Sequence, residues 1–392
     1  MGQELIQKDS TSSEADDGAA AGERQFPEVV YVQNSVHLAG AQKSLSRLLA
    51  APGIRKFRPR LLTGEEGWLT SFCTETGIPW HWVDFPSSRS IAGRLWGNRR
   101  FAAQAAALLG EQLDPGRKCI VHANDHPDSL LGLALAERLG AVPILTLRTP
   151  SMSGEDFVKY RCGKHRHVIA VGTDLCERAR GWAEGVPVSL VFNGVTPEEI
   201  IAPVFHAQQR LERVVALGSM SLRKGWRDLV DALVMLEGRL PEQPLPEIHF
   251  LGDCLGKNPE VELGTERLGR FRVRFLGVAS DYRDRLREYP LAIHPSRDES
   301  FGMAALECIA AGVPLLGAST GMIPEFIPKP DFRFAPRDVT GLAEKFARLL
   351  PMTPAQIAAE FGIERAVERI ISDFSTDGTV AKLAAIYESA AR

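Results

Sequence analysis

The sequence predicts an α/β protein built from doubly wound parallel sheets, with helices on both faces of each sheet. Short apolar and β-branched runs alternate with longer helical patterns along almost the whole chain. Hydrophobicity within each run is nearly continuous, which is typical of strands buried on both faces of a parallel sheet. A chain of 392 residues is also long for a single core, so we expect two domains.

Twelve runs are predicted to be strands, seven of them in the N-terminal half. These seven are 29–33, 58–64, 78–85, 119–124, 142–148, 167–172 and 188–194. The other five are 213–219, 248–253, 273–278, 291–296 and 313–318. Helical segments such as "AQKSLSRLLA", "LLGLALAERLG" and "GWRDLVDALVMLEGRL" supply the crossovers between strands.

The alternation of strands and helices breaks once, at 193–212, which we interpret as a linker. We therefore predict an N-terminal Rossmann-like domain over 27–200 and a C-terminal one over 201–375. The tail 376–392 has helical spacing and is predicted to pack back on the N-terminal domain. Residues 1–26 lack the apolar core of a signal peptide and are predicted to be a disordered leader.

Composition excludes several classes of protein. The formal net charge of −3 gives no general attraction to a phosphate backbone, so we expect no nucleic-acid partner. The six cysteines form neither a C-x-x-C pair nor a cluster with histidine, which favours reduced thiols over disulfides or a zinc site. No apolar stretch approaches the roughly 20 residues that span a bilayer. We expect a cytoplasmic protein.

The stretch "DESFGMAALECIAAG" at 298–312 places Glu299 before a predicted helix and Glu307 inside it. The helix begins at Phe301 and Gly302, directly after a buried strand, so its unpaired N–H groups face the carboxyl edge of the sheet. Carboxylates accept paired hydrogen bonds from vicinal hydroxyls, which suits a sugar or a ribose. The alternative is that Glu299 is a helix cap and Glu307 a surface charge.

The strings "ESFGMAALE" and "AAGVPLLG" together resemble the E-x7-E signature of retaining GT-B glycosyltransferases, particularly glycosyltransferase family 4. The resemblance covers most of residues 28–390. It implies two Rossmann-like domains that face each other across a cleft, and transfer of a sugar from UDP or GDP. It also implies that Glu299 binds the donor sugar and Glu307 the ribose, with Ser300 and Met303 beside them.

Two further segments resemble donor-binding parts of this family. "LAGAQKSLSRLLA" resembles its G-[GA]-[EQ] turn, which implies that Gly40 and Ala41 bring backbone N–H groups to the diphosphate. A small residue there is also an ordinary strand-to-helix turn. "VRFLGV" resembles the strand whose following backbone contacts the base, which implies a role for Gly277 and Val278.

The diphosphate clamp departs from the family pattern. "LGSMSLRKGWRDLVDAL" resembles the G-R…K-G segment, in which an arginine and a lysine neutralise the leaving group. Lys224 is present, but Ser219 stands where the family usually has arginine, and Arg223 is the candidate to replace it. The alternative is that Arg223 and Lys224 form a solvated pair in a loop.

The acceptor side is predicted from "VHANDHPDS", which resembles the histidine-bearing loop that faces the donor sugar. His122, Asn124 and His126 are all candidates, with His126 assigned to catalysis, and a structural histidine is the alternative for each. Arg148, in "LTLRTP", stands where many relatives have histidine, and its role is open.

Two basic stretches are further candidates. The stretch 86–110 is a candidate for contact with an anionic membrane surface or a phosphorylated lipid acceptor, and 159–167 is a candidate mobile loop or binding segment for an acceptor anion. The first contains Arg89, Arg94, Arg99 and Arg100 without an acidic residue. The alternative for it is a solvated helix face with its apolar side in the core.

Resemblance thus implies a retaining hexosyltransferase-type enzyme that uses a nucleotide-sugar, without a protein nucleophile. The sequence has no D-x-D motif, which is consistent with metal independence, and we expect no cofactor. The acceptor is a sugar, a lipid-linked molecule or a small molecule, in surface polysaccharide or lipopolysaccharide assembly or natural-product glycosylation. The alternatives are a nucleotide-sugar epimerase, a nicotinamide-dependent oxidoreductase and a degenerate sugar-nucleotide-binding protein. The oxidoreductase would need a G-x-G-x-x-G motif after a strand, and the sequence has none.

Overall fold

In a computed structural model, the chain is described for residues 25–86, 91–203, 207–279 and 281–392, and side chains are not described for 91–95. The predicted disordered leader lies outside these ranges up to residue 24. The described residues form two parallel sheets, each covered by helices. The predicted α/β class with two doubly wound parallel sheets is confirmed.

The N-terminal sheet has seven strands in the order β3-β2-β1-β4-β5-β6-β7. They are β1 (Glu28–Val32), β2 (Arg60–Thr63), β3 (Trp80–Trp82), β4 (Cys119–Ala123), β5 (Val142–Leu147), β6 (His167–Ala170) and β7 (Val188–Leu190). All neighbouring strands are parallel, and Val30 of β1 is paired with Arg60 on one side and Val121 on the other. Every residue of β1 is buried, because helices cover both faces of the sheet.

The C-terminal sheet has six strands in the order β10-β9-β8-β11-β12-β13. They are β8 (Arg213–Leu217), β9 (Glu247–Leu251), β10 (Val273–Gly277), β11 (Ala292–His294), β12 (Leu315–Ala318) and β13 (Arg333–Phe334). Each of the twelve predicted strands overlaps one observed strand. The sequence analysis missed β13, because two residues are too short to form a recognisable apolar run.

Fifteen α-helices lie within the described residues. Those of the N-terminal half are α1 (Gly40–Ala50), α2 (Trp68–Thr76), α3 (Ile91–Gly110), α4 (Ser129–Leu139), α5 (Gly154–Lys159) and α6 (Thr173–Trp182). Those that follow are α7 (Trp226–Glu237), α8 (Pro259–Leu263), α9 (Tyr282–Leu286), α10 (Met303–Ala310), α11 (Ile323–Phe326), α12 (Val339–Leu349), α13 (Pro354–Phe361), α14 (Ile363–Asp373) and α15 (Thr376–Ala390). Among the described residues, no helix is both long and apolar enough to cross a bilayer.

Helix α15 packs against the N-terminal domain although it follows the C-terminal domain in sequence. Its Leu383 and Tyr387 are part of the N-terminal core. The Tyr387 hydroxyl lies 2.8 Å from the Tyr31 hydroxyl and 2.6 Å from His122 Nδ1, while His122 Nε2 lies 2.7 Å from Thr146 Oγ1. A buried polar chain therefore joins three strands of the N-terminal sheet to α15.

The carboxyl ends of the two sheets face each other at close range. Ser300 Oγ, after β11, donates a 2.5 Å hydrogen bond to the carbonyl of Arg148, after β5. A Cβ atom at Gly172, after β6, would lie only 2.2 Å from the Ser300 carbonyl oxygen. Only glycine therefore allows the two domains to approach this closely at that point.

We expect Tyr387→Phe to destabilise the N-terminal domain by about 1–3 kcal/mol, because it leaves buried groups of Tyr31 and His122 without a partner. Urea or thermal unfolding measures the loss. The control is Glu388→Gln, on the same helix as Tyr387. It removes a partly exposed ion pair with Lys56 and should cost less than about 1 kcal/mol. Equal losses for the two variants would contradict the prediction.

Candidate active site

A cavity of about 550 Å³ lies between the two domains, at the carboxyl ends of both sheets. This is the position where ligands of doubly wound folds bind. Fourteen of the predicted site residues line it: Gly40, Ala41, Arg148, Ser219, Arg223, Lys224, Gly277, Val278, Glu299, Ser300, Phe301, Gly302, Met303 and Glu307. The remaining three, which are His122, Asn124 and His126, are not among the lining residues.

The N-termini of two helices face each other across this cavity. α1 comes from the N-terminal domain and α10 from the C-terminal domain, and no described side chain caps either of them. A Cβ atom at Gly40 would lie 3.5 Å from Met303 Cγ, so the two helix starts are close. Their unpaired N–H groups and positive dipole ends favour an anion between them.

Gly302 immediately precedes α10 and has φ of 98°, which favours glycine. A Cβ atom there would lie 2.9 Å from Ile323 Cδ1, a second reason for glycine. Gly302 and Met303, at the start of α10, both line the cavity.

The Glu299 carboxylate lies almost completely buried beside the cavity, with 8% of the residue exposed. It is paired with Lys224, accepts a 2.8 Å hydrogen bond from Ser296 Oγ, and lies 3.6 Å from Arg223 Nη1. His294 Nε2 lies 3.3 Å away. Burial alone would raise the pKa of Glu299, but these neighbours, Lys224 foremost, outweigh it and lower the pKa well below the usual range.

The Glu307 carboxylate is also buried, and its cations come from the other domain. Arg47 Nη2 lies 2.6 Å from Oε1 and Lys43 Nζ lies 3.4 Å from Oε2. Burial opposes ionisation, but Lys43 and Arg47 outweigh it and lower the pKa of Glu307. The alternative of a solvated surface charge is therefore wrong for Glu307, and Glu299 is no exposed helix cap.

The basic side of the cavity contains Lys224 and Arg223, within a 3₁₀ turn that ends at Gly225. Gly225 has φ of 67°, and a Cβ atom there would lie 1.9 Å from the Pro295 carbonyl oxygen. Arg223 Nη1 donates to the Asp298 carbonyl at 3.0 Å. The pair faces the cavity, with Lys224 mostly buried, which excludes a fully solvated loop.

Ser219 lines the cavity next to this basic turn, and its side chain carries no charge. Its hydroxyl lies 3.5 Å from Ser221 Oγ. Any second guanidinium for an anion near Lys224 must therefore come from elsewhere, and Arg223 lines the same cavity.

The three predicted acceptor residues lie behind the cavity wall. His122 is inside β4, where burial lowers its pKa to about 3, so its imidazole is neutral. Asn124 Oδ1 accepts a 2.9 Å hydrogen bond from Arg148 Nη2, and the His126 ring packs edge-on against Tyr160 at 4.8 Å. Catalytic or acceptor roles for these three residues stay predictions.

Arg148 contacts the cavity but pairs with no carboxylate among the described side chains. Its Nη1 donates to Asn193 Oδ1 at 2.8 Å and its Nε to the Asn124 carbonyl at 2.9 Å. Burial lowers the pKa of Arg148 to about 10, and Asp125 partly offsets this. The guanidinium is a rigid charged wall of the cavity.

Seven polar residues of the cavity lining were not predicted from the sequence: Lys43, Asp125, Thr149, Ser151, Asn193, Asp253 and Tyr282. Lys43 lies one turn into α1, Asp125 lies between two candidates that were named, and Tyr282 begins α9. Lys43 Nζ also lies 4.1 Å from the centre of the Tyr282 ring. Lys43 follows Gly40 by three residues, and i, i+3 spacing on a helix was a usable signal for it.

The two basic stretches have different surroundings. In the described part of 86–110, Trp96 is 74% exposed and Arg99 and Arg100 are exposed, whereas Phe101 is buried. Arg89 and the side chain of Arg94 lie outside the described residues. The stretch 159–167 does not line the cavity. Membrane or lipid-acceptor contact through 86–110 and acceptor-anion binding through 159–167 stay predictions.

Comparison with known proteins finds a family match within the C-terminal domain. Residues 212–351 match the model described as Glycosyl transferases group 1. The chain is 26% identical to D-inositol 3-phosphate glycosyltransferase of Jonesia denitrificans over 237 residues, 53% of this chain and 52% of that protein. It is 34% identical to N-acetyl-alpha-D-glucosaminyl L-malate synthase of Bacillus anthracis over 118 residues, 30% of each. These alignments span about half of each relative or less.

The whole fold has solved counterparts. The crystal structure of Anabaena HepE in complex with UDP and glucose superimposes with a TM-score of 0.73. The match covers 93% of this chain and 100% of that chain, at 17% sequence identity. The predicted GT-B fold is thereby confirmed.

Asp128 supports the loop between β1 and α1, and we expect it to make stability depend on pH. Its Oδ2 accepts a 3.2 Å hydrogen bond from Asn34 N, and burial raises its pKa to about 8. Between pH 4 and 8 the folded chain therefore holds one proton that the unfolded chain releases. Stability from this group falls as pH rises, by at most about 1.4 kcal/mol per pH unit.

The Asp128→Asn variant lacks this titration. The difference between its melting temperature and that of the wild type should therefore grow in favour of the variant as pH rises from 5 to 8. Asp84→Asn, at an exposed position of the same domain, is the control and should follow the wild type. A constant difference between Asp128→Asn and wild type across that range would contradict the prediction.

Proposed function

We propose that the chain, whose residues 212–351 match the family model described as Glycosyl transferases group 1, is a retaining glycosyltransferase with a nucleotide-sugar donor. The donor is a UDP- or GDP-sugar, and the acceptor is the hydroxyl of a sugar, a lipid-linked molecule or a small molecule. The reaction needs no metal or other cofactor in this proposal.

One observation carries the proposal: two helix N-termini and two buried carboxylates converge on a single interdomain cavity. A nucleoside diphosphate sugar carries an anionic group and vicinal hydroxyls in one molecule. Its diphosphate matches the open N–H groups of α1 and α10, and its vicinal hydroxyls match carboxylate acceptors. The known complex of Anabaena HepE with UDP and glucose has the same fold and supports the assignment.

The proposed roles are those that the family resemblance implies, and the positions of the side chains in the cavity lining support them. Glu299 orients the donor sugar through its hydroxyls, and Glu307 binds the ribose. Lys224, with Arg223 beside it, stabilises the negative charge that develops on the leaving diphosphate. Gly277 and Val278 lie where the backbone can contact the base, since both line the cavity at the end of β10.

In the proposed reaction the acceptor oxygen bonds to the anomeric carbon as the bond from that carbon to the diphosphate breaks. The departing phosphate oxygen takes the proton of the acceptor hydroxyl, and the new bond forms on the same face of the sugar. No protein nucleophile takes part. Surface polysaccharide or lipopolysaccharide assembly is the proposed setting, at the inner face of the membrane.

Ser219 favours a second candidate, a protein that binds sugar-nucleotides without transferring the sugar. The serine removes a guanidinium from the side of the cavity where leaving-group charge develops. The two candidates differ in one outcome: both bind the donor, but only the enzyme releases free nucleoside diphosphate with an acceptor present.

Calorimetric titration with UDP-, GDP- and ADP-sugars tests the proposed function directly. We expect one base to bind with micromolar to millimolar affinity. Incubation of that donor with sugar and lipid-linked acceptors should then release nucleoside diphosphate, and NMR of the product should show the anomeric configuration of the donor. Binding without turnover across the acceptor panel favours the second candidate, and no binding by any donor contradicts both.

We expect Glu299→Ala to lower kcat by about 100-fold or more, because the donor sugar loses its buried acceptor and Lys224 its partner. Circular dichroism and melting temperature check that the variant folds, and Glu299→Gln provides an isosteric version. The control is Glu262→Ala on α8, which removes an exposed carboxylate that is paired with Lys257. A folded Glu299→Ala protein with wild-type turnover would disprove the assigned role.

A further inference from the structure

A network of five charges, three of them buried, joins both domains and the linker beside the candidate ribose carboxylate. The network consists of Lys43 and Arg47 on α1, Glu199 in the linker, Arg283 on α9 and Glu307 on α10. The side chains of Arg47, Glu199 and Glu307 are each at most 5% exposed. Such a set of buried ions is stable only when every carboxylate has a cation.

Arg47 occupies the centre of this network. Its Nη2 donates to Glu307 Oε1 at 2.6 Å and to Glu199 Oε1 at 2.8 Å, while its Nε lies 2.7 Å from Glu199 Oε2. One planar guanidinium thus binds a carboxylate of the C-terminal domain and a carboxylate of the linker. Lysine, with a single point charge, cannot reproduce both contacts.

Glu199 connects this guanidinium to the linker backbone. Its Oε2 accepts a 2.9 Å hydrogen bond from Thr196 N, at the start of a 3₁₀ turn between the domains. Its other partner, Arg283, is adjacent to Tyr282, whose ring lies beneath Lys43 and lines the cavity. The arrangement of the linker is therefore joined to the part of the cavity that contains Glu307.

We propose that Arg47 is a positioning residue for the donor, which holds Glu307 for the ribose and joins it to the linker through Glu199. The inference rests on the proposed function, because it requires a nucleotide in the cavity. Arg47 itself is not among the residues that line the cavity, so it acts through Glu307. Binding of the nucleoside end is then coupled to the approach of the two domains.

The charges around Glu307 predict a readout that a merely structural role would not produce. Lys43, Arg47 and Arg283 face this carboxylate, and the buried Cys308 thiol lies next to it. The three cations keep Glu307 ionised in mildly acidic solution. Removal of Arg47 takes away one of the cations that oppose the effect of burial, so we expect the pKa of Glu307 to rise from its lowered position. The carboxylate then accepts a proton more readily, and loses acceptor capacity, as pH falls.

The experiment is calorimetric titration of the full chain with UDP and with GDP, at pH 7.5 and pH 5.5. Arg47→Met should weaken nucleotide binding by about tenfold or more at pH 7.5, and the ratio to wild type should grow at pH 5.5. Arg47→Lys should bind with intermediate affinity and a smaller pH effect. Glu199→Gln, which leaves the cavity lining intact, should also weaken binding by several fold.

Glu28→Gln is the matched control, since Glu28 is a buried carboxylate held by Arg58 at 3.1 Å, at the opposite end of β1. It should lower the melting temperature but leave nucleotide affinity unchanged. If Arg47→Met does not fold, Arg47→Lys and Glu199→Gln carry the test.

Three outcomes are distinguishable. Weaker binding by the Arg47 and Glu199 variants, with the acid-dependent ratio for Arg47, supports the inference. The inference is overturned, while the proposed function stands, if Arg47→Lys and Glu199→Gln bind nucleotide with wild-type affinity. It is also overturned if their losses of affinity equal that of Glu28→Gln at both pH values. Failure of the wild type to bind UDP or GDP overturns both.

Discussion

The structure depends on the cost of burying two carboxylates in the cleft between the domains. A buried carboxylate without a cation costs several kcal/mol, so each of these two constrains the elements that supply its partners. Glu299 obtains Lys224 and Ser296 from its own domain, and this half of the site is complete within the C-terminal domain. Glu307 obtains Lys43 and Arg47 from the N-terminal domain, so its ionised state requires both domains together.

The domains also approach each other closely beside these carboxylates, at a point where glycine is needed. Gly172 allows the Ser300 carbonyl to approach, and the Ser300 hydroxyl returns a hydrogen bond to Arg148. The same loop supplies Glu299 and the start of α10, so a contact made for domain packing also orients the wall of the cavity. α15 adds a further connection between the two domains, because it follows the C-terminal domain in sequence and packs into the N-terminal core.

The sequence predicted the fold well because parallel strands buried on both faces leave long apolar runs, and only the two-residue β13 was too short to detect. It also identified fourteen of the residues that line the interdomain cavity, where short motifs fix local geometry. It failed where the partner is distant in sequence. The burial of His122 depends on Tyr387, 265 residues away, and the importance of Arg47 depends on Glu307, 260 residues away. No local pattern contains such pairs.

The charge balance of the cavity shows what Ser219 changes. Four cations line it, and four carboxylates balance them: Lys43, Arg148, Arg223 and Lys224 against Asp125, Asp253, Glu299 and Glu307. An arginine at 219 would leave a net positive charge for an anion, whereas serine leaves none. The attraction for a diphosphate must therefore come largely from the open N–H groups and dipoles of α1 and α10. Because these helices belong to different domains, binding of the proposed donor depends on the closed arrangement more strictly than it would with an arginine at that position.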